Sequence, residues 1–149
     1  MRSGSISDTP VIGPDFYPTV LEAAGVKVVP RQVVDGLSLV PLLIRGAPLK
    51  RRALDWHFPH CDPEPYSVVR RGDLKLIEFL GDARCALYNL REDPEEKTNL
   101  ADRMPEELGR LRRALARWRE SVGAQLPTRL SGRSAPRDRT NPPGKESLP

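Results

Sequence analysis

Histidine, cysteine and the aromatics are scarce in this sequence, and each shortage removes a class of function. Two cysteines in 149 residues, Cys61 and Cys85, cannot build a disulfide scaffold, and by themselves they are too few for a structural zinc site. Aromatic residues make up 5% of the chain and hydrophobic residues 38%, which predicts one modest domain with a thin core. No apolar run approaches the length of a membrane span, so no membrane partner is expected. The opening residues Met1 to Ser7 carry one basic side chain and no apolar core, so they do not read as a secretory leader. No internal repeat is visible.

Charge is present but unevenly held. The chain carries +4, yet from Thr128 onward Arg129, Arg133, Arg137, Arg139 and Lys145 stand against only Asp138 and Glu146. That surplus of three leaves a surplus of one for everything before it. The basic character therefore belongs to a Pro-, Ser- and Arg-rich tail, expected to be disordered over 128–149, and no nucleic-acid partner is expected for the folded part. Arg110, Arg112, Arg113, Arg117 and Arg119 give one helix a basic look. Glu106, Glu107 and Glu120 dilute it and no aromatic base reader is interleaved, so a solvated face is the reading.

The pattern along the chain predicts an α+β fold. Asp15 is placed to cap a helix whose first turn tolerates Pro18 and whose apolar side is Phe16, Val20, Leu21 and Ala24, ending at Gly25. Asp35-Gly36 reads as a turn, and Ser38 as the start of a short helix through Leu43 or Ile44. From Arg51 the period changes. Four strands are predicted, over 53–58, 66–71, 74–80 and 84–90, the middle two joined at Gly72-Asp73, giving a four-stranded, mainly antiparallel sheet. A long helix beginning at Pro105 closes the fold. Its stripe of Met104, Leu108, Leu111, Leu115, Trp118 and Val122 needs the sheet as partner, and Gly123 ends it.

The most informative stretch is Leu87-Tyr88-Asn89-Leu90, Asp93-Pro94-Glu95 and Thr98-Asn99-Leu100-Ala101: a strand, a Pro-fixed turn and a polar bend leading to the helix. With Asp15-Phe16-Tyr17-Pro18-Thr19, Asp35-Gly36-Leu37-Ser38-Leu39, Trp56-His57-Phe58-Pro59-His60 and the 66–79 hairpin, in that order, it resembles the C-terminal part of the type I sulfatases of the alkaline phosphatase superfamily. The resemblance covers roughly residues 8 to 127. It implies a remnant of the α/β catalytic domain over 1–50 and an antiparallel sheet-plus-helix subdomain over 51–127.

That family resemblance also implies a nucleophile, formylglycine, made from the first residue of a Cys-or-Ser, x, Pro, x, Arg sequence beside a calcium ion. Cys61-Asp62-Pro63-Glu64-Pro65 matches the Cys-to-Pro spacing but puts proline where arginine belongs, so Cys61 reads as an ordinary loop cysteine. Asp15, Asp35, Asp55 and Asp62 are scattered singly among cap, turn, strand and loop, and no paired acid offers calcium its convergent oxygens. Lys75 reads as a solvated sheet edge. The formylglycine, the calcium ligands and the catalytic lysines and histidines are thus expected in an N-terminal catalytic domain, the implied partner, and no catalytic residue, metal ligand or cofactor is expected in this chain.

His57 and His60 remain. They leave a strand and enter a Pro-stiffened loop, a placement that suits a substrate contact to a sulfate or sugar hydroxyl; a hydrogen-bonded structural histidine is the competing reading. A zinc site of His57, His60 and Cys61 lacks an evident fourth ligand. The functional expectation is the C-terminal part of a sulfuric ester hydrolase acting on a sulfated small molecule or glycan, walling the substrate cleft and inactive alone. The alternative is a small stand-alone binding module using its basic helix and tail.

Overall fold

The computed structural model describes residues 4, 6–60 and 64–128, so the expected tail from Arg129 and the Cys61-Asp62-Pro63 stretch lie outside the described residues. A short 3-10 turn, Gly13–Asp15, leads into α1 (Phe16–Ala23); α2 (Val40–Arg45) follows. Then come β1 (Leu54–Phe58), β2 (Tyr66–Arg71), β3 (Leu74–Phe79), β4 (Cys85–Asn89) and α3 (Pro105–Ser121). The sheet is an antiparallel meander in chain order, β1-β2-β3-β4.

Local sequence explains the turns. Gly72, at φ 58°, takes the left-handed position of the two-residue turn that pairs Arg71 with Leu74. After β4, the Asp93 carboxylate accepts the Thr98 N–H at 2.7 Å and closes the Pro94 turn. The bend at Asn99 does more than turn the chain: its Oδ1 accepts the N–H groups of Leu87 and Ala101, and the Leu100 N–H reaches the Leu87 carbonyl. Residues 99 and 100 thereby lie along the outer edge of β4.

One face of the sheet is covered by α3. Val69, Leu76 and Leu87 from successive strands meet Leu111 and Leu115, all five fully buried, with Ala101 closing the cluster. Met104, Leu108 and Trp118 pack around its margin as the helical stripe predicts, whereas Val122 is 55% exposed because the helix ends before it. The opposite face carries Trp56, Phe58, Tyr66, Val68, Ile77 and Phe79 around a shallow groove.

The segment before the sheet is organised by an acid rather than by a core. Asp15 does not cap α1 through its side chain; it is fully buried and accepts the N–H groups of Ile12 and Leu37, each at 2.9 Å, while forming a two-pronged ion pair with Arg51. Burial alone would push the Asp15 carboxyl up, but Arg51 and the two backbone donors outweigh it and hold it below the usual carboxylate range. Gly36 is required here, since a Cβ would lie 2.1 Å from the Pro14 carbonyl oxygen. Leu39 is buried at 8% exposure, but Phe16 and Val20 remain 64% and 62% exposed, so much of the apolar side of α1 is uncovered.

Candidate functional site

β1 and the turn that follows it carry both candidate histidines. β1 alternates, so Asp55 and His57 face α3 while Trp56 and Phe58 face the other way. The His57 ring is tied at both nitrogens: Nε2 lies 2.8 Å from the Gln125 carbonyl oxygen and Nδ1 2.8 Å from Ser67 Oγ. A carbonyl only accepts, so Nε2 donates to Gln125, and Nδ1 shares a hydrogen bond with the Ser67 hydroxyl. Ser67 is fully buried and in turn accepts from Arg119 Nη1 at 3.3 Å.

Arg119 continues the network to Glu78, its Nη2 2.7 Å from Oε2, and Arg112 donates from Nε and Nη2 to Oε1 at 3.1 and 3.0 Å. A carboxylate only 7% exposed is thus charge-paired with two guanidinium groups, although only Oε1 receives aligned hydrogen bonds and Oε2 has the ion-pair contact to Arg119 alone. The Glu78 contact holds the Arg112 guanidinium more firmly protonated, and burial pushes the neighbouring Cys85 thiol up, so that cysteine is not an activated nucleophile. Sequence reasoning missed this network. Its signal was present in the inward register of Glu78 on β3 and in the seven-residue spacing of Arg112 and Arg119, which puts both on one helix face.

His60 lies in the exposed turn after β1 and makes no hydrogen bond among the described residues. Lys75, read from sequence as a solvated edge, sits on an interior strand and is paired with Glu96 at 2.6 Å. Among the described residues no three His, Cys, Asp or Glu side chains converge as metal ligands. Asp15 has its oxygens taken by Arg51 and two N–H groups, Asp35 is exposed, and Asp55 is half-buried. These residues do not fit a calcium ion, which needs several convergent oxygens.

Beside β1 runs a cleft of about 640 Å³, whose lining beyond the strand includes Ile12, Pro14, Trp118 and Val122 with Asp35 and Arg51. Asp55 faces it, and burial pushes its carboxyl above the usual range despite the attraction of Arg71.

The family described as N-sulphoglucosamine sulphohydrolase, C-terminal, matches residues 1–134. The chain belongs to this sulfatase family. A sulfatase of Formosa agariphila is 37% identical over 103 residues, 61% of this chain and 19% of the relative. The N-acetylglucosamine-6-O-sulfatase of Bacteroides thetaiotaomicron is 33% identical over 109 residues, 67% of this chain and 19% of that protein. The solved structure of BT4656 in complex with its substrate D-glucosamine-2-N,6-O-disulfate superposes with a TM-score of 0.61 at 27% identity, covering 73% of this sulfatase chain and 24% of the other. This chain therefore corresponds to a C-terminal part of a sulfatase, and spans about a fifth of the length of the curated relatives it matches.

Proposed function

We propose that this sulfatase chain walls the substrate cleft of a sulfuric ester hydrolase whose nucleophile, formylglycine, and calcium ligands belong to a larger catalytic portion. The observation that carries the reading is the family match over 1–134 to a C-terminal region, joined to the fifth of the relatives' length that it spans. In this division residues 1–50 are a remnant of the catalytic domain, and 51–127 form the wall. Sulfate ester cleavage needs an activated nucleophile and preorganised charge stabilisation. Cys85, with its raised thiol, and the scattered acids supply neither.

His57 and His60 are the proposed substrate contacts, with different parts. His57 has both nitrogens engaged, so it acts mainly by fixing the end of β1, with its ring edge at the cleft. His60 keeps its ring nitrogens available at an exposed turn and is the one placed to meet a sulfate or sugar hydroxyl. The proposed substrate class is a sulfated glycan or sulfated small molecule, in line with the relative named an N-acetylglucosamine-6-O-sulfatase.

The test uses the purified 149-residue chain and a hybrid in which it replaces the matched region of the Bacteroides N-acetylglucosamine-6-O-sulfatase. The chain alone, with calcium and an aryl sulfate, gives no turnover above background, and the hybrid cleaves N-acetylglucosamine 6-sulfate. His60→Ala in the hybrid raises KM more than it lowers kcat. Calcium-dependent turnover by the isolated chain, freed of contaminating sulfatase, would refute the division.

A further inference from the structure

The two edges of the sheet are treated differently. Pairing in an antiparallel ladder alternates, and the two-residue turn makes Arg71 and Leu74 a pair that exchanges both backbone bonds. The same phase appears in the bonds from the Leu80 N–H to the Pro65 carbonyl and from the Leu90 N–H to the Asp73 carbonyl. Carried across to β1, it turns the backbone groups of Leu54, Trp56 and Phe58 toward β2 and those of Asp55 and His57 outward.

On β4 the outward groups are covered. The Leu87 N–H and carbonyl are taken by Asn99 and Leu100, the Cys85 carbonyl accepts from Asn99 Nδ2, and the Asn89 carbonyl accepts from Asp93. On β1 the outward N–H and C=O groups of Asp55 and His57 have no hydrogen-bond partner among the described residues. They open into the cleft walled by Ile12, Pro14, Trp118 and Val122. Of the devices by which soluble proteins blunt an exposed edge, β1 lacks lysine, proline and a bulge and carries one inward-facing charge, Asp55.

We infer that the β1 edge is a slot for an extended polypeptide strand, supplied by the catalytic portion, which adds a fifth strand beside Asp55 and His57. This rests on the functional reading above. The occupant follows from two facts. The curated relatives carry about four-fifths of their length outside the matched region, and the slot offers both backbone partners and apolar lining from Ile12, Pro14, Trp118 and Val122. Five residues of edge span roughly 17 Å, long enough for main-chain bonds to give affinity while the walls choose apolar side chains at alternate positions. A sugar finds aromatic platforms on the other face of the sheet, but only a peptide strand satisfies a row of alternating N–H and C=O groups.

The full chain is co-produced with the Bacteroides N-acetylglucosamine-6-O-sulfatase lacking its matched C-terminal region, and the affinity of the pair is measured. Asp55→Pro removes one outward N–H without touching the β1–β2 ladder, and Asp55→Asn keeps it. The slot predicts at least tenfold weaker association for Asp55→Pro and a change within twofold for Asp55→Asn. Hydrogen exchange on the wild-type pair reads the same feature without a variant: the Asp55 and His57 amides slow at least tenfold on association. Association that leaves those two amides fast, or that Asp55→Pro does not weaken, overturns the slot and leaves the functional reading standing. Protection of the same amides by self-association of the chain alone also overturns it. Failure of the wild-type pair to associate overturns the functional reading and the slot with it.

Discussion

Leu111 tests the packing of α3 on the sheet more directly than any other residue. It is fully buried, and its cluster neighbours Val69, Leu76, Leu87 and Leu115 are fully buried as well. Val69 and Leu76 stand on strands fixed by ladder bonds on both sides, so the walls of the space left by Leu111→Ala cannot collapse freely. Leu→Ala changes in such sites cost the transfer term plus a cavity term, about 3–5 kcal/mol here. Trp118 is only half-buried at the margin of the cluster, so Trp118→Ala falls at the lower end, about 2 kcal/mol. Arg113 and Arg117 project into solvent, and replacing either with alanine changes stability by less than about 0.5 kcal/mol. Urea melts followed by far-UV circular dichroism separate these cases. With a slope of roughly 1–3 kcal/mol per molar urea for a small domain, Leu111→Ala lowers the midpoint by about 1–5 M. If Leu111→Ala does not fold, Leu111→Met keeps the volume and loses less than about 1.5 kcal/mol. Equal midpoint shifts for Leu111→Ala and Arg113→Ala would mean that α3 is not held by its apolar stripe.

Four further outcomes follow from the polar groups and the segment before the sheet. The Asp15 carboxyl is depressed in the folded state, so its contribution is complete above the ordinary carboxylate range and is lost as pH falls through its folded value. Asp15→Asn therefore destabilises residues 10–52 at neutral pH, and proteolysis shows the difference narrowing in acid. Asp55 behaves in the opposite sense: its raised carboxyl costs stability once pH exceeds the unfolded value, so Asp55→Asn stabilises the isolated chain at neutral pH and is neutral below the ordinary carboxylate range in pH-dependent melts. Gly36→Ala drives a Cβ into the Pro14 carbonyl and releases the Asp15 cluster, seen as faster amide exchange at Ile12 and Leu37. Hydrogen exchange of the unmodified chain shows weaker protection over 15–44 than over 51–122, because Phe16 and Val20 lack cover; equal protection in a monomer would favour a self-sufficient binding module.

Much of the fold was legible because it is locally encoded. The strand and helix positions, the Gly72-Asp73 turn and the inward stripe of α3 all follow from periodicity and turn residues within a few positions of one another. What escaped the sequence was set by partners far along the chain. Asp15 reads as a helix cap until Arg51, 36 residues away, claims it. Lys75 reads as an edge residue until strand order places it inside the sheet. The histidines were visible as strand-end residues, but the partners of His57 come from β2 and from the segment after α3, which no spacing reveals.

The distance in sequence between Asp15 and Arg51 also orders events in time. The sheet is built from hairpins between adjacent strands, whose closing loops are short, so it forms early and α3 docks on it soon after. The ion pair must close a 36-residue loop, whose entropy is recovered only when both partners and the Leu37 N–H are in place. The first fifty residues therefore dock last, onto a finished sheet. Pulse-labelling exchange during refolding would find the amides of β2 and β3 protected before those of Ile12 and Leu37, and the reverse order would mean that the Asp15 cluster is a nucleus rather than a latecomer.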